Sequence, residues 1–339
     1  MNNIDLLAMN IKMNPTRIEL ELTERCNLSC RFCYNSQKPL DSNKTEKIID
    51  RLASCEVPEI ILTGGEPTIH HDFIPILIKC SSTFAKVMVQ TNGTLITDHI
   101  ADVMAGNNIF EVNISIHGCS SIHDKLTCVD GSRELALNSL KKLLKRNLRV
   151  SCNFVITSEN VFVLSETIEE LNTIGVHRIS LTCFTPIGVG ANNKNLHIPY
   201  AELISVINDI DEKTRQHKNL NITLAHSMPY CSLSKNLKHY CEYCHFGSSR
   251  FYIDINGNVL MCGMSRVCIG NILEEDFISM KEKSDYYQRH ILGTDVPDLC
   301  TECEDFSHCR GGCRAAALAH SGDFYGIHPY SKKYNKLEG

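Results

Sequence analysis

The sequence predicts an α/β fold, an open barrel of strand-helix units followed by a smaller cysteine-rich region. Three observations carry that expectation. Short β-like runs alternate with helical patterns between residues 17 and 225, the order that builds a parallel sheet. Past about residue 226 the apolar periodicity weakens, and cysteines and loop residues take over. At 339 residues the chain has room for both parts and needs no disulfide to stabilise a core.

Taken in order, the strand candidates are RIELEL (17–22), EIILT (59–63), KVMVQT (86–91), EVNISI (111–116), LRVSCNFVIT (148–157) and HRISLTCFT (177–185). Helices are expected near 44–54, 73–84, 97–105, 132–146, 160–174 and 198–215. The clearest is SRELALNSLKKLLKR, where Leu140, Leu143 and Leu144 share one face and basic residues gather at the end, as the helix dipole favours. Six units make a partial (β/α)6, TIM-like barrel over 15–225, open on one side, with the second region at 226–339. No repeat or Gly/Ser linker separates them, so the two parts should pack together.

Charge excludes several functions. The 34 basic and 39 acidic residues give a net charge of -5 without long runs of one sign, so no nucleic-acid or membrane-surface partner is expected. The opening MNNIDLLAMNIKMNPTRIEL lacks a basic start with an apolar stretch, and no segment approaches a membrane span, which places the protein in the cytoplasm. In that reducing compartment the 18 cysteines read as metal or cluster ligands where they group together.

The first group is ERCNLSCRFCYN, with Cys26, Cys30 and Cys33 spaced C-x3-C-x2-C just after the first strand, at the carboxyl end where barrels place their chemistry. Three thiolates suit a 4Fe-4S cluster with one iron open; a zinc knuckle borrowing a distant fourth ligand is the alternative. With Phe32 before the third cysteine and LTGGEP (62–67) after strand two, the loop resembles that of the radical S-adenosylmethionine (SAM) enzymes. The resemblance implies that SAM chelates the open iron and that cluster reduction releases a 5'-deoxyadenosyl radical, which abstracts a substrate hydrogen. It also implies that Gly64, Gly65, Glu66 and Pro67 hold the methionyl amino group. The strand ends QTNGT and NISIHG add Asn92 and Ser115. His123, Asp124 and Thr127 also stand in places familiar from the family's fourth loop, and TPIGVGANN (185–193) resembles its exit from strand six.

The second group begins at Cys241: C-x2-C, then GNVLMC, then CTECEDFSHCRGGC. In isolation it reads equally as a zinc ribbon. After such a barrel it resembles the SPASM extension, which carries auxiliary 4Fe-4S clusters. By that resemblance Cys241, Cys244, Cys262 and Cys313 hold the first cluster, and Cys300, Cys303 and Cys309 the second. The family expects one more cysteine later, where Ser331 stands, so a non-cysteine ligand or an open iron is expected there, or a second cluster that does not assemble. Asp305, His308, Asp323, His328, Ser331, Cys231 and Cys268 are the chemically possible substitutes.

Cys55, Cys80, Cys152 and Cys183 read as small apolar core residues. Cys119 and Cys128, in the loop after strand four, are candidates to return a hydrogen atom to a substrate radical. Enzymes of this layout modify ribosomally made peptides or act on small molecules such as sugars, aminoglycosides and amino acids; a non-enzymatic cysteine-rich binding protein is the remaining class. Cys26 lies too near the start for a preceding leader-recognition domain, so a peptide must bind the barrel mouth directly or arrive on a separate leader-peptide-binding protein. An external one-electron donor such as flavodoxin or ferredoxin is implied.

Overall fold

The structure, a computed structural model, describes residues 14–36, 38, 40–214, 220–241, 244–285, 287–292 and 298–331. The N-terminal stretch read above as far as residue 13, the last residue of the helix expected at 198–215, and residues 332–339 of the second region lie outside the described residues.

Parallel strands form the barrel wall: β1 (Arg17–Glu21), β2 (Glu59–Thr63), β3 (Lys86–Thr91), β4 (Glu111–Ser115), β5 (Val150–Ile156), β6 (Arg178–Cys183) and β7 (Asn221–Leu224). The crossovers carry α1 (Thr45–Ser54), α2 (Phe73–Thr83), α3 (Asp98–Gly106), α4 (Ser120–Thr127), α5 (Ser132–Lys145), α6 (Leu164–Ile174) and α7 (Tyr200–Thr214). All six expected strands are present, and among the described residues β7 extends the wall beyond them. β7 has four residues of which only Ile222 and Leu224 are buried, too short a run to stand out in sequence. Helix α4 also escapes sequence reading, because its eight residues carry more polar than apolar side chains.

Alternation along β1 explains the wall. Ile18, Leu20 and Leu22 are fully buried against the helical layer, each contributing roughly 1.5–3 kcal/mol. Arg17, Glu19 and Glu21 face the other way, into the lumen. In register across the first three strands, Arg17 Nε donates to Glu59 at 2.7 Å and Lys86 Nζ to the same carboxylate at 2.7 Å. On the opposite wall Glu111 holds His177 at 3.0 Å and Arg178. Ion pairs thereby fill the amino-terminal end of the barrel and leave the carboxyl end for chemistry.

The cysteine-rich region continues the same sheet. Strand β8 (Arg250–Ile253) pairs parallel with β1, from Arg17 opposite Arg250 to Leu20 opposite Ile253. β9 (Asn258–Leu260) and β10 (Cys268–Asn271) then run antiparallel, so the strand order is β10-β9-β8-β1-β2-β3-β4-β5-β6-β7. The short helices α8 (Phe277–Lys283), α9 (Asp298–Thr301), α10 (Phe306–Cys309) and α11 (Arg314–Ser321) complete it. Among the described residues, no helix is long and apolar enough to cross a membrane.

Candidate active site

The three-cysteine loop sits on β1 and is pinned by the carboxyl ends of the other strands. Gly65 and Glu66 after β2 donate their amides to Thr23 and Arg25 carbonyls at 2.7 and 2.8 Å. Asn27 Nδ2 donates to Thr94 Oγ1 after β3 at 2.8 Å. Ser29 and Arg31 amides bond the Thr127 and Leu126 carbonyls at the end of α4, and Arg31 pairs with Glu159 after β5 at 2.9 Å. From β6, the Gly190 amide reaches the Cys33 carbonyl at 2.9 Å.

Held this way, the thiols crowd one another. Burial pushes Cys26 up to about 11, with the charges of Glu66 and Cys33 adding to it. Cys30 is raised well above the usual thiol range by burial and by the charges of Cys33 and Cys26. Three thiolates here are costly without cationic iron to neutralise them, so the donor set fits a metal cluster. A lone zinc would need sulfurs about 3.8 Å apart. Among the described residues, the one compact set of three metal-capable side chains within 4.8 Å is His70, His71 and Asp72, and no three cysteines meet that spacing.

In the GGEP segment the two glycines allow a close backbone approach. A Cβ at Gly64 would stand 2.4 Å from the Thr23 carbonyl oxygen, and one at Gly65 2.2 Å from that of Arg25. The glycines let β2's end lie against the cysteine loop. Glu66 is fully buried: Oε1 accepts from the Thr68 amide, Thr68 Oγ1 and Thr91 Oγ1 at 3.1, 2.6 and 2.7 Å, and Oε2 accepts the Asn92 amide. Pro67 opens the short turn that follows, where its missing N–H costs nothing. Asn92 Nδ2 donates to Asn27 Oδ1 at 2.9 Å and lies 3.9 Å from Cys26 Sγ. Phe32 packs edge-on against His117, ring centroids 4.6 Å apart, and Ser115 ends β4, half-buried, beside Asn153. His123 accepts the His117 amide, and Asp124 takes the Gly131 and Arg133 amides at the start of α5.

One group escaped sequence reading. Arg266, just after Cys262, lies 3.3 Å from Glu21 and 3.5 Å from Glu24, and Asn35 Nδ2 donates to Glu21 at 2.9 Å. Glu24 Oε2, Asn35 Oδ1 and Arg266 Nη1 are buried without a hydrogen-bond partner. These orphaned atoms border both the cysteine loop and the loop bearing Cys262, the place where a polar substrate would satisfy them. The sequence signal is the pair Glu19 and Glu21 alternating with Ile18 and Leu20 on the first strand.

In the tail, Cys244, Cys262 and Cys313 gather: burial pushes Cys313 up to about 12, and the charges of Cys244 and Cys262 add to it. Cys241 Sγ accepts the Met228 amide at 3.1 Å, while the Cys313 amide donates to the neighbouring Ser227 carbonyl at 2.8 Å. Cys300, Cys303 and Cys309 line a separate cavity of about 20 Å³. Cys119 precedes α4 near Ser121; Cys128, exposed at its left-handed end, is close enough to Cys30 to raise it. Cys55, Cys80, Cys152 and Cys183 are buried, as read from the sequence.

An open parallel barrel with a three-thiol loop on its first strand and a cysteine-rich extension of the same sheet defines an iron–sulfur enzyme. Residues 20–181 match the Radical SAM superfamily, and residues 244–304 match SPASM, an iron-sulfur cluster-binding domain. The chain carries a radical SAM domain followed by a SPASM domain. The AdoMet-dependent heme synthase of Methanosarcina barkeri is 25% identical over 93% of this chain and 96% of its own length. The sporulation killing factor maturation protein SkfB of Bacillus subtilis is 28% identical over 77% of this chain and 63% of its own. Streptococcus suis SuiB bound to precursor peptide SuiA shares the fold, with a TM-score of 0.76 at 18% identity over 97% of this chain and 79% of SuiB.

The cofactors are therefore SAM, the cluster that binds it, and one or two auxiliary 4Fe-4S clusters. Cys26, Cys30 and Cys33 would hold the SAM-binding cluster, which with SAM bound would supply the one-electron chemistry for removing a substrate hydrogen atom. The chain's part is positional. Glu66 fixes the ends of β2 and β3, Asn92 and Asn27 brace Cys26, and the segment at Gly190 closes over Cys33. Such bracing fixes the cysteine loop against the carboxyl ends of the strands.

Proposed function

We propose that this enzyme modifies a ribosomally made peptide, by thioether or carbon–carbon crosslinking, epimerisation or oxidation. The observation that carries the reading is the orphaned set Glu24 Oε2, Asn35 Oδ1 and Arg266 Nη1. Two acceptors and one donor, buried beside the cysteine loop, complement backbone amides, which offer both kinds of group. SkfB, a maturation protein, and SuiB, which holds a precursor peptide, support it. Under this reading Cys26, Cys30 and Cys33 ligate the SAM-binding cluster, Cys241, Cys244, Cys262 and Cys313 the first auxiliary cluster, and Cys300, Cys303 and Cys309 the second. An external flavodoxin or ferredoxin supplies electrons, and a separate leader-peptide-binding protein delivers the substrate. Of the two hydrogen-donor candidates, Cys128 is the better placed, beside Cys30; Cys119 is the other.

A second reading, a small-molecule substrate, is favoured by the match to a heme synthase along nearly the whole chain. Reconstituted enzyme, SAM and reductant are incubated with a short peptide encoded beside its gene, or with a porphyrin. A mass change in the peptide with matching 5'-deoxyadenosine supports the proposal. Conversion of the porphyrin with an untouched peptide overturns it.

A further inference from the structure

The cavity bearing Cys300, Cys303 and Cys309 is also lined by Cys231, His328 and Ser331. Cys231 belongs to a tight turn, Tyr230–Ser232, whose position is fixed from two sides: the Tyr230 amide donates to Cys309 Sγ at 3.3 Å, and Tyr200 Oη donates to the Ser232 carbonyl at 3.0 Å. Cys231 Sγ lies 3.5 Å from Ser331 Oγ, across 100 residues of chain. Cys309 feels the charge of Cys231 as well as its own burial. The residue standing where a closing cysteine is expected therefore touches a different thiol that points into the same cavity.

The other substitutes fail on geometry. His328 Nδ1 accepts the Tyr330 amide at 3.1 Å and its Nε2 faces His226 Nε2 at 3.4 Å, so both ring nitrogens are engaged. Asp305 pairs with Lys238 at 2.5 Å. His308, Asp323 and Cys268 do not line the cavity.

We propose that Cys231 is the fourth ligand of the second auxiliary cluster, completing a four-thiolate set with Cys300, Cys303 and Cys309 while Ser331 donates a hydrogen bond to its sulfur. This replaces the expected non-cysteine ligand or open iron, and it rests on the reading of those three cysteines as cluster ligands. On ligation Cys231 loses its thiol proton to solvent and forms an iron–sulfur bond, with no change of oxidation state. A fully thiolate-ligated cluster has no iron open to substrate, which makes it an electron relay.

The test is differential alkylation of the anaerobic holoprotein with iodoacetamide, read by mass spectrometry before and after chelator stripping. Cys231 is expected to be protected together with Cys300, Cys303 and Cys309, and all four labelled once stripped, while exposed Cys268 labels throughout. Labelling of Cys231 in holoprotein that still protects the other three overturns the proposal. Labelling of all four while Cys26, Cys30 and Cys33 stay protected removes the second cluster itself, a distinguishable failure. In a Cys26→Ala/Cys30→Ala/Cys33→Ala background, Cys231→Ala should lose up to about four iron per chain, or change the cluster's electron paramagnetic resonance signal, and Cys231→Ala/Ser331→Cys should restore it. Unchanged iron and spectrum in Cys231→Ala, or loss of both in Ser331→Ala with Cys231→Ala unaffected, overturns it.

Discussion

The buried carboxylate of Glu66 accepts the backbone amide of Asn92 at 2.7 Å. Through that bond the end of β2 orders the end of β3, and Asn92 passes the constraint to Asn27 in the cysteine loop. Glu66 acts as a hub of four accepted hydrogen bonds, so its chemistry is that of an acceptor held out of water.

Glu66→Gln replaces one acceptor oxygen by an NH2 that faces N–H or O–H donors. Loss of about 1–3 kcal/mol of stability is expected, with more for Glu66→Ala, measured by anaerobic chemical denaturation. SAM cleavage should fall further than iron content. Equal stability and cleavage would show that the hub is dispensable.

Gly65→Ala sets a methyl group against the Arg25 carbonyl, backbone that cannot step aside. The hydrogen bonds that the Gly65 and Glu66 amides donate to the Thr23 and Arg25 carbonyls should break. The variant is expected to lose the iron of the SAM-binding cluster while retaining that of the tail, as iron and sulfide analysis beside the triple cysteine variant will show.

Arg266→Met leaves Glu21 and Glu24 buried without their cation. A stability loss of about 3 kcal/mol is expected, and Arg266→Lys should recover part of it. Substrate turnover should drop more than uncoupled 5'-deoxyadenosine release, because the guanidinium borders the proposed substrate site; chromatography of both products separates the two.

Burial raises Glu19 from 4.5 to about 7, against the opposing charges of Arg250 and Arg17. A raised carboxyl favours folding below its unfolded value and loses that contribution as pH rises through the folded one. Wild-type stability should therefore decline from pH 4.5 towards 7 by about 1–3 kcal/mol relative to Glu19→Gln. Parallel denaturation curves at pH 5.5 and 8 check the sign: the variant gains on the wild type at the higher pH.

Much of the barrel was legible because its strands pair period-two patterns with helical ones. The expected β2 and β3 ranges match the structure residue for residue, and Leu140 and Leu143 are fully buried on α5. The cysteine loop was legible because its three thiols are local in sequence. What sequence could not convey is proximity across distance: Arg266 meeting Glu21, or Cys231 meeting Ser331, depends on β8 lying beside β1 and on the closing segment folding back. Nor does a GGEP string disclose that its glycines face a neighbouring loop, since a close backbone approach reads alike whatever approaches.

The pairing of β1 with β8 sets an order on synthesis. One flank of the strand that carries the radical site is an open hydrogen-bonding edge until residues 250–253 leave the ribosome, long after β1 itself. A nascent chain stopped at residue 225 presents that edge to other chains, a template for aggregation. Productive maturation therefore favours cluster loading after the last strands have closed the flank, and fragments ending before β8 should accumulate in inclusion bodies while the full chain does not.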